Sequence, residues 1–335
     1  MLGVPLVRRL LSDGYEVVSV DLRPQEDSLP GLRSVVGDIR DGALMARAVE
    51  GADAVVHSAS ALPSYRAEQI RSVVVDGTRA VLTAAREAGV ERVVHLSSTA
   101  AYGLPKVVPT PEDHPREPVD PYSRAKVAAE DVCEEFRAEG MCVPVLRPKT
   151  FLGPGRMGLF AMLFEWAEEG RHFPVLGSGD VRTQMLDMDD LTDAVLAAMH
   201  VPARLADGAF NLGAAEFTTL REDFQAVLDA AGHGKRVIAL PARPTMLALQ
   251  ALDRTRLSPV YGRLLHKLLA DSYVSIDRAR EHLGFTPRYS NQDTILRTFA
   301  WWREQQGLGG RRPATGVTSR DAWRQGALAL AKAAF

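Results

Sequence analysis

The segment "PYSRAK" sets Tyr122 and Lys126 four residues apart in a stretch that predicts a helix. Four residues turn an α-helix by about 400°, so both side chains share one face. An ammonium beside a phenol favours the phenolate and lowers its pKa from about 10 toward neutrality. A tyrosine tuned in this way can take a proton from an alcohol or give one to a ketone. Alone the spacing is a weak signal, and it more often marks a solvated helix pair. Its upstream neighbour changes the balance: in "RVVHLSSTAAYG" an apolar strand runs into Ser97, Ser98 and Thr99. Residues just past the carboxyl end of a parallel strand face the ligand crevice, where a hydroxyl can hold the substrate oxygen. Tyr122, Lys126 and Ser98 are therefore the expected catalytic residues, with Thr99 the fallback for Ser98.

Such a constellation needs a rigid frame, and the first 150 residues predict one. Apolar runs predict strands at 16–21, 34–36, 54–58, 92–96 and 143–146, alternating with helices at 5–12, 42–50, 67–88 and 121–139. That rhythm predicts an α/β fold, a parallel sheet covered on both faces and doubly wound in the Rossmann manner. Later residues are less regular. Helices are expected at 159–169, 189–200 and 275–283, a strand at 173–176, and an apolar helical stretch over 241–272. Thr219-x-x-Glu222 reads as a capping box opening a helix at 220–230. The division expected is a dinucleotide-binding domain over 1–148 and a smaller, mostly helical substrate lobe over 149–306, with segments returning to the first. A linker and a terminal helix would occupy 307–335.

Cofactor chemistry is legible at the strand ends. Asp21 closes the strand after the first helix, where an acid accepts hydrogen bonds from ribose hydroxyls and repels a 2′-phosphate. This favours NAD over NADP, with Arg23 pulling the other way. Asp38 and Ile39 follow the next strand and are placed to bracket an adenine. His57 and Ala59 end a third strand where small residues admit a cofactor; His57 reads as structural rather than catalytic.

Taken together, "LVRRLLSDGYEVVSVD", "VVGDIRD", "DAVVHSAS", "VVDGT", "LSSTAAYG", "PYSRAK", "LRPKTFLGPG" and "LGFTPRYS" resemble the extended short-chain dehydrogenase/reductases of the NAD-dependent epimerase/dehydratase type. The resemblance spans residues 1 to about 305. It implies that Tyr122 is the general base, Lys126 its partner and Ser98 the hydroxyl sharing the substrate oxygen. It also implies NAD contacts at Gly3, Asp21, Asp38, Ile39, Ala59, Tyr122 and Lys126. That family opens with a strand and a Gly-x-x-Gly-x-x-Gly turn, of which "MLG" matches only the end, with Gly3 as the last glycine. The expectation is that a central strand and two glycines are missing from the frame, through a start set too far downstream or a truncation, and that restoring them would raise both NAD affinity and stability.

The substrate is less constrained. Nucleotide-sugar members of the family usually carry an asparagine after the Arg-Pro strand, where this chain has Lys149 and Thr150. Arg156 and Arg182 are further candidates for holding phosphate. Oxidoreduction at a secondary alcohol or ketone of a nucleotide sugar is the favoured reading. Two alternatives stand beside it: a hydroxysteroid-dehydrogenase-like enzyme acting on a hydrophobic alcohol, and a non-catalytic NAD-binding regulatory protein.

A net charge of −2 without a basic stripe argues against nucleic acid as the main partner. Two cysteines, Cys133 and Cys142, supply neither a disulfide framework nor a metal spacing and fit a reducing compartment. With no leader and no long apolar run, the expectation is a cytoplasmic protein with a small-molecule substrate, no metal and no membrane partner. The tail from Ser319 to Phe335 has an amphipathic pattern that fits packing on its own body or on a second copy in a homodimer.

Overall fold

The computed structural model describes residues 2–24, 29–158, 160–247 and 269–307. The expected tail helix and most of the apolar stretch 241–272 lie outside them. The chain opens with α1 (Gly3–Ser12), β1 (Val17–Asp21), β2 (Leu32–Val36), α2 (Gly42–Val49) and β3 (Ala54–His57). The single helix expected over 67–88 is instead α3 (Ala67–Arg71), a π-helical turn (Ser72–Asp76) and α4 (Gly77–Glu87). The turn carries the chain past Ile39, whose side chain approaches Gly77 so closely that a Cβ there would lie 2.5 Å from it. Next come β4 (Arg92–Leu96), α5 (Pro121–Ala138) and β5 (Val145–Pro148), the last starting two residues later than expected.

Every pairing between these strands is parallel, as a fold with helices on both faces requires. The order β3-β4-β5 is extended by β9 (Ala209–Leu212), and β1 pairs with β2. The sheet is not continuous, however. Among the described residues β1 and β3 do not pair; their facing edges line one cavity of about 1620 Å³. Burial reflects this: β5 is buried throughout and β4 nearly so, whereas β1 and β2 remain half-exposed. One face of the frame is packed by Leu6 and Leu10 of α1 with Leu191 and Val195, the other by Met45, Val81, Ala129 and Cys133.

The later residues are mostly helical as expected, but they carry further short strands beside the one expected at 173–176. They form β6 (Thr150–Leu152), α6 (Phe160–Glu168), β7 (Phe173–Leu176), β8 (Met185–Asp187), α7 (Met188–His200) and α8 (Ala203–Ala206). After β9 follow α9 (Leu220–Ala231), β10 (Val237–Leu240), α10 (Asp277–Leu283) and α11 (Asn291–Gly307). Two small parallel sheets, β6-β8 and β7-β10, frame this part around Phe164, Trp166, Phe173 and Phe299. Thr219 and Glu222 do form the capping box of α9. Among the described residues no helix is long and apolar enough to cross a membrane, and no group of three or more metal-binding side chains occurs.

Candidate active site

The position of Tyr122 is set at the first turn of α5. Asp120 caps the helix by accepting from the Ser123 backbone N–H at 2.7 Å, Ser123 returns a bond to the Asp120 N–H, and Pro121 occupies the first turn. One turn on, Lys126 is 2% exposed, and its Nζ donates to the Leu96 carbonyl at 2.8 Å. The ammonium lies 6.0 Å from the centre of the Tyr122 ring. Burial pulls the Lys126 pKa down to about 8, against the opposing pull of Glu130 and Cys133. The ammonium therefore titrates near neutrality rather than far above it.

Three consecutive hydroxyls follow β4, and their partners divide their roles. Ser97 donates a short hydrogen bond to Glu130, and Thr99 donates to the Pro148 carbonyl at 3.4 Å. Ser98 accepts from the Ala100 N–H at 3.1 Å and, among the described residues, donates to none. Half-buried on the cavity wall, Ser98 is the hydroxyl left to address a ligand. The turn that follows ends at Gly103, where φ is +67° and a Cβ would lie 1.9 Å from the Glu117 carbonyl oxygen. Only glycine fits there.

The same cavity collects most of the residues expected to hold a cofactor. Gly3 at the start of α1, Asp21 at the end of β1, Asp38, Ile39, His57 and Ala59 all line it with Tyr122 and Lys126. The arrangement fits a dinucleotide: a helix N-terminus opens onto the cavity for pyrophosphate, and an acid ends the adjacent strand. Asp38 is engaged by Arg40, which accounts for its lowered pKa. His57 donates from Nε2 to Thr78 at 3.0 Å, because the Thr78 hydroxyl is itself committed to the Val74 carbonyl. Burial and the Lys126 charge push the His57 pKa to about 3, so it is a neutral wall residue and no proton acceptor. Arg23 does not reach the cavity wall.

Of the residues expected to meet substrate, Lys149, Thr150 and Arg156 line the cavity. Lys149 Nζ donates to Ser272 at 2.8 Å. Arg156 donates from Nε to the Phe151 carbonyl at 2.9 Å and lies 3.5 Å above the Phe151 ring. Arg182 does not join them. Its guanidinium stacks over Phe217 and Tyr273 at 4.9 and 5.0 Å, a packing role that spacing in the sequence does not disclose.

Sequence reasoning missed the buried network behind the site. Glu130 accepts from Arg147 Nη2 at 2.6 Å and from Nε at 3.1 and 3.2 Å, besides Ser97. Arg147 also donates to the Tyr102 hydroxyl at 2.7 Å, and Tyr102 donates to Asn211 on β9 at 2.8 Å. One carboxylate thus ties α5 to the ends of β4 and β5. The available signal was the spacing Tyr122, Lys126, Glu130, which continues one helical face.

The chain is similar to known proteins over most of its length. The NAD dependent epimerase/dehydratase family matches residues 1–213. A UDP-glucose 4-epimerase of Mycolicibacterium smegmatis is 30% identical over 325 residues, covering 91% of this chain and 96% of the relative. A 3 beta-hydroxysteroid dehydrogenase/Delta 5-->4-isomerase of Mycobacterium tuberculosis is 31% identical over 326 residues, covering 90% and 87%. Among solved structures, the dTDP-glucose 4,6-dehydratase DesIV of Streptomyces venezuelae, crystallised with NAD and TYD, superposes with a TM-score of 0.72 at 26% identity, covering 92% of this chain and 95% of that one.

Proposed function

The chain belongs to the NAD dependent epimerase/dehydratase family, and from that premise we propose that it oxidises or reduces a secondary alcohol or ketone with Tyr122, Lys126 and Ser98 as the reacting side chains. The observation that carries this is the convergence of these three on one cavity with Asp21 and the α1 N-terminus. NAD, when bound, supplies the hydride acceptor. The Tyr122 phenolate takes the substrate's hydroxyl proton, and in the opposite direction the Tyr122 hydroxyl returns one to a carbonyl oxygen. The Ser98 hydroxyl donates to that oxygen and holds it against Tyr122. Lys126, fixed by the Leu96 carbonyl, supplies the positive charge that stabilises phenolate and offers N–H groups to a ribose. Asp21 accepts from the adenosine ribose hydroxyls, and the first turn of α1 receives the pyrophosphate.

For the substrate, the walls beyond Tyr122 favour an apolar body, since Phe151, Met157, Phe160, Trp166 and Phe224 all face the cavity. This supports the hydroxysteroid-type alternative over the nucleotide sugar that the sequence favoured. The nucleotide sugar stays as the second reading, supported by the epimerase and dehydratase relatives. The test is NADH formation across panels of both kinds, with product chromatography for the sugars, because epimerisation leaves no net NADH. Turnover on the apolar panel alone supports the first reading. NAD binding with no turnover on either panel would instead mark a regulatory protein.

A further inference from the structure

The ladders of the sheet stop just short of Ser98. The pairing of β4 with β3 ends at His95, and its pairing with β5 ends at Leu96. The Ser97 N–H still donates to the Leu146 carbonyl at 2.8 Å. Past that point the strand end is held through side chains. We propose that Ser97, gripped by Glu130, is a positioning residue that places the Ser98 hydroxyl against Tyr122; this rests on the oxidoreduction proposed above.

Ser97 is 5% exposed and gives its hydroxyl proton to Glu130. That acceptor is itself fixed. Glu130 takes hydrogen bonds from Arg147 at 2.6, 3.1 and 3.2 Å and a longer one from Arg116 at 3.4 Å. Arg147 is anchored in turn by the Tyr102 hydroxyl and the Glu112 carbonyl. A carboxylate paired in this way only accepts, so the Ser97 hydroxyl keeps one orientation. One turn earlier on the same helix, Lys126 donates to the Leu96 carbonyl at 2.8 Å. Two consecutive residues of the strand end are thus tied to the helix that bears Tyr122, and the spacing of Ser98 from Tyr122 follows from α5. Ser98 is extended, with φ −165° and ψ 148°, so successive side chains alternate: Ser97 turns to Glu130 and Ser98 lines the cavity. The Ser98 oxygen accepts from the Ala100 N–H at 3.1 Å and, among the described residues, its proton is uncommitted. Misplacing a reacting group by about 1 Å can cost on the order of 100-fold in rate. Removing the Ser97 hydroxyl leaves the Glu130–Arg147 pair intact, so the loss falls on placement and not on the fold.

The test compares the full chain with Ser97→Ala, Ser97→Thr, Ser98→Ala and the double variant Ser97→Ala/Ser98→Ala. Crystal structures of the NAD complexes read where the Ser98 oxygen sits. NADH formation from dehydroepiandrosterone reads kcat and KM, with UDP-glucose and product chromatography used where the steroid is inert. Ser97→Ala should displace the Ser98 oxygen by about 1 Å or more and lower kcat at least about tenfold, with KM within about twofold of the parent. Ser97→Thr, which keeps the hydroxyl, should restore both. In the Ser98→Ala background the loss of Ser97 should cost nothing further, because Ser97 acts through Ser98. Thermal melting of each variant separates misfolding from misplacement, and Ser97→Cys, whose thiol is a weak donor, should fall between Ser97→Ala and the parent. A Ser98 oxygen that stays in place, an unchanged kcat, or a cost that adds to that of Ser98→Ala would each overturn the inference. The oxidoreductase reading fails separately. A parent chain that turns over neither probe would sink that reading, and the position of the Ser98 oxygen in Ser97→Ala would then decide this one.

Discussion

Replacing Glu130 by Gln removes the charge that holds three site-bearing elements together, and the size of the effect follows from burial. The carboxylate is 2% exposed and the Arg147 guanidinium 5%. Neither can be rescued by water when the other is lost. Breaking such a pair costs about 3–5 kcal/mol, chiefly through the unpaired charge left behind. For a chain of 335 residues that corresponds to a fall in melting temperature of roughly 4–7 °C. Glu130 also holds the Lys126 pKa up, so the variant's ammonium should titrate below 8 and its NAD affinity should weaken at neutral pH. The assay is thermal melting with and without NAD, together with NAD titration. The double variant Glu130→Gln/Arg147→Met deletes both charges and should regain most of the stability. A loss of under about 1 kcal/mol in the single variant, or a double variant no better than the single, would refute the reasoning.

Three further outcomes follow from the same geometry. Lys126 keeps its charge below pH about 8 and loses it above, so NAD affinity should fall as pH rises through that value. Because the folded pKa lies below the unfolded one, the linked stability change has the opposite sign: the chain gains stability between pH about 8 and 10.5. Lys126→Met should abolish both trends, and an unchanged pH profile in that variant would exclude Lys126 as their origin. Asp21→Ala should narrow a preference for NAD over NADP, read by titrating each cofactor; tighter NADP binding by the parent chain would show that Arg23 governs the choice. Arg182→Ala should lower the melting temperature through the lost Phe217 and Tyr273 stacking while leaving ligand affinity intact, and a selective loss of affinity would return Arg182 to the binding site.

What was legible in the sequence was whatever one continuous segment encodes. The helix from Pro121 displays Tyr122 and Lys126 on one face by periodicity alone, and the run from Arg92 into three hydroxyls marks a strand end. Helix-first order, with "LVRRLL" preceding "VVSVD", was legible as well; among the described residues β1 pairs with β2 and not with β3. Short strands such as β6 and β8 were not legible, since three residues carry no alternation to read. Helix α11 was missed although Ile295, Phe299 and Trp302 recur at helical spacing, because threonine and arginine dilute the pattern. Arginines defeat such reading for a different reason. Whether one lines the cavity, as Arg156 does, or lies across two rings outside it, as Arg182 does, depends on contacts made by distant segments.

The central claim is that Tyr122 carries the proton in an NAD-linked oxidation. Its most direct test compares NADH formation by the parent chain and by Tyr122→Phe on whichever alcohol the panels identify, with NAD affinity measured alongside. The phenyl ring fills the same space, so NAD affinity should be nearly unchanged while the rate falls by about 100-fold or more. A Tyr122→Phe chain that forms NADH at the parent rate would contradict the account.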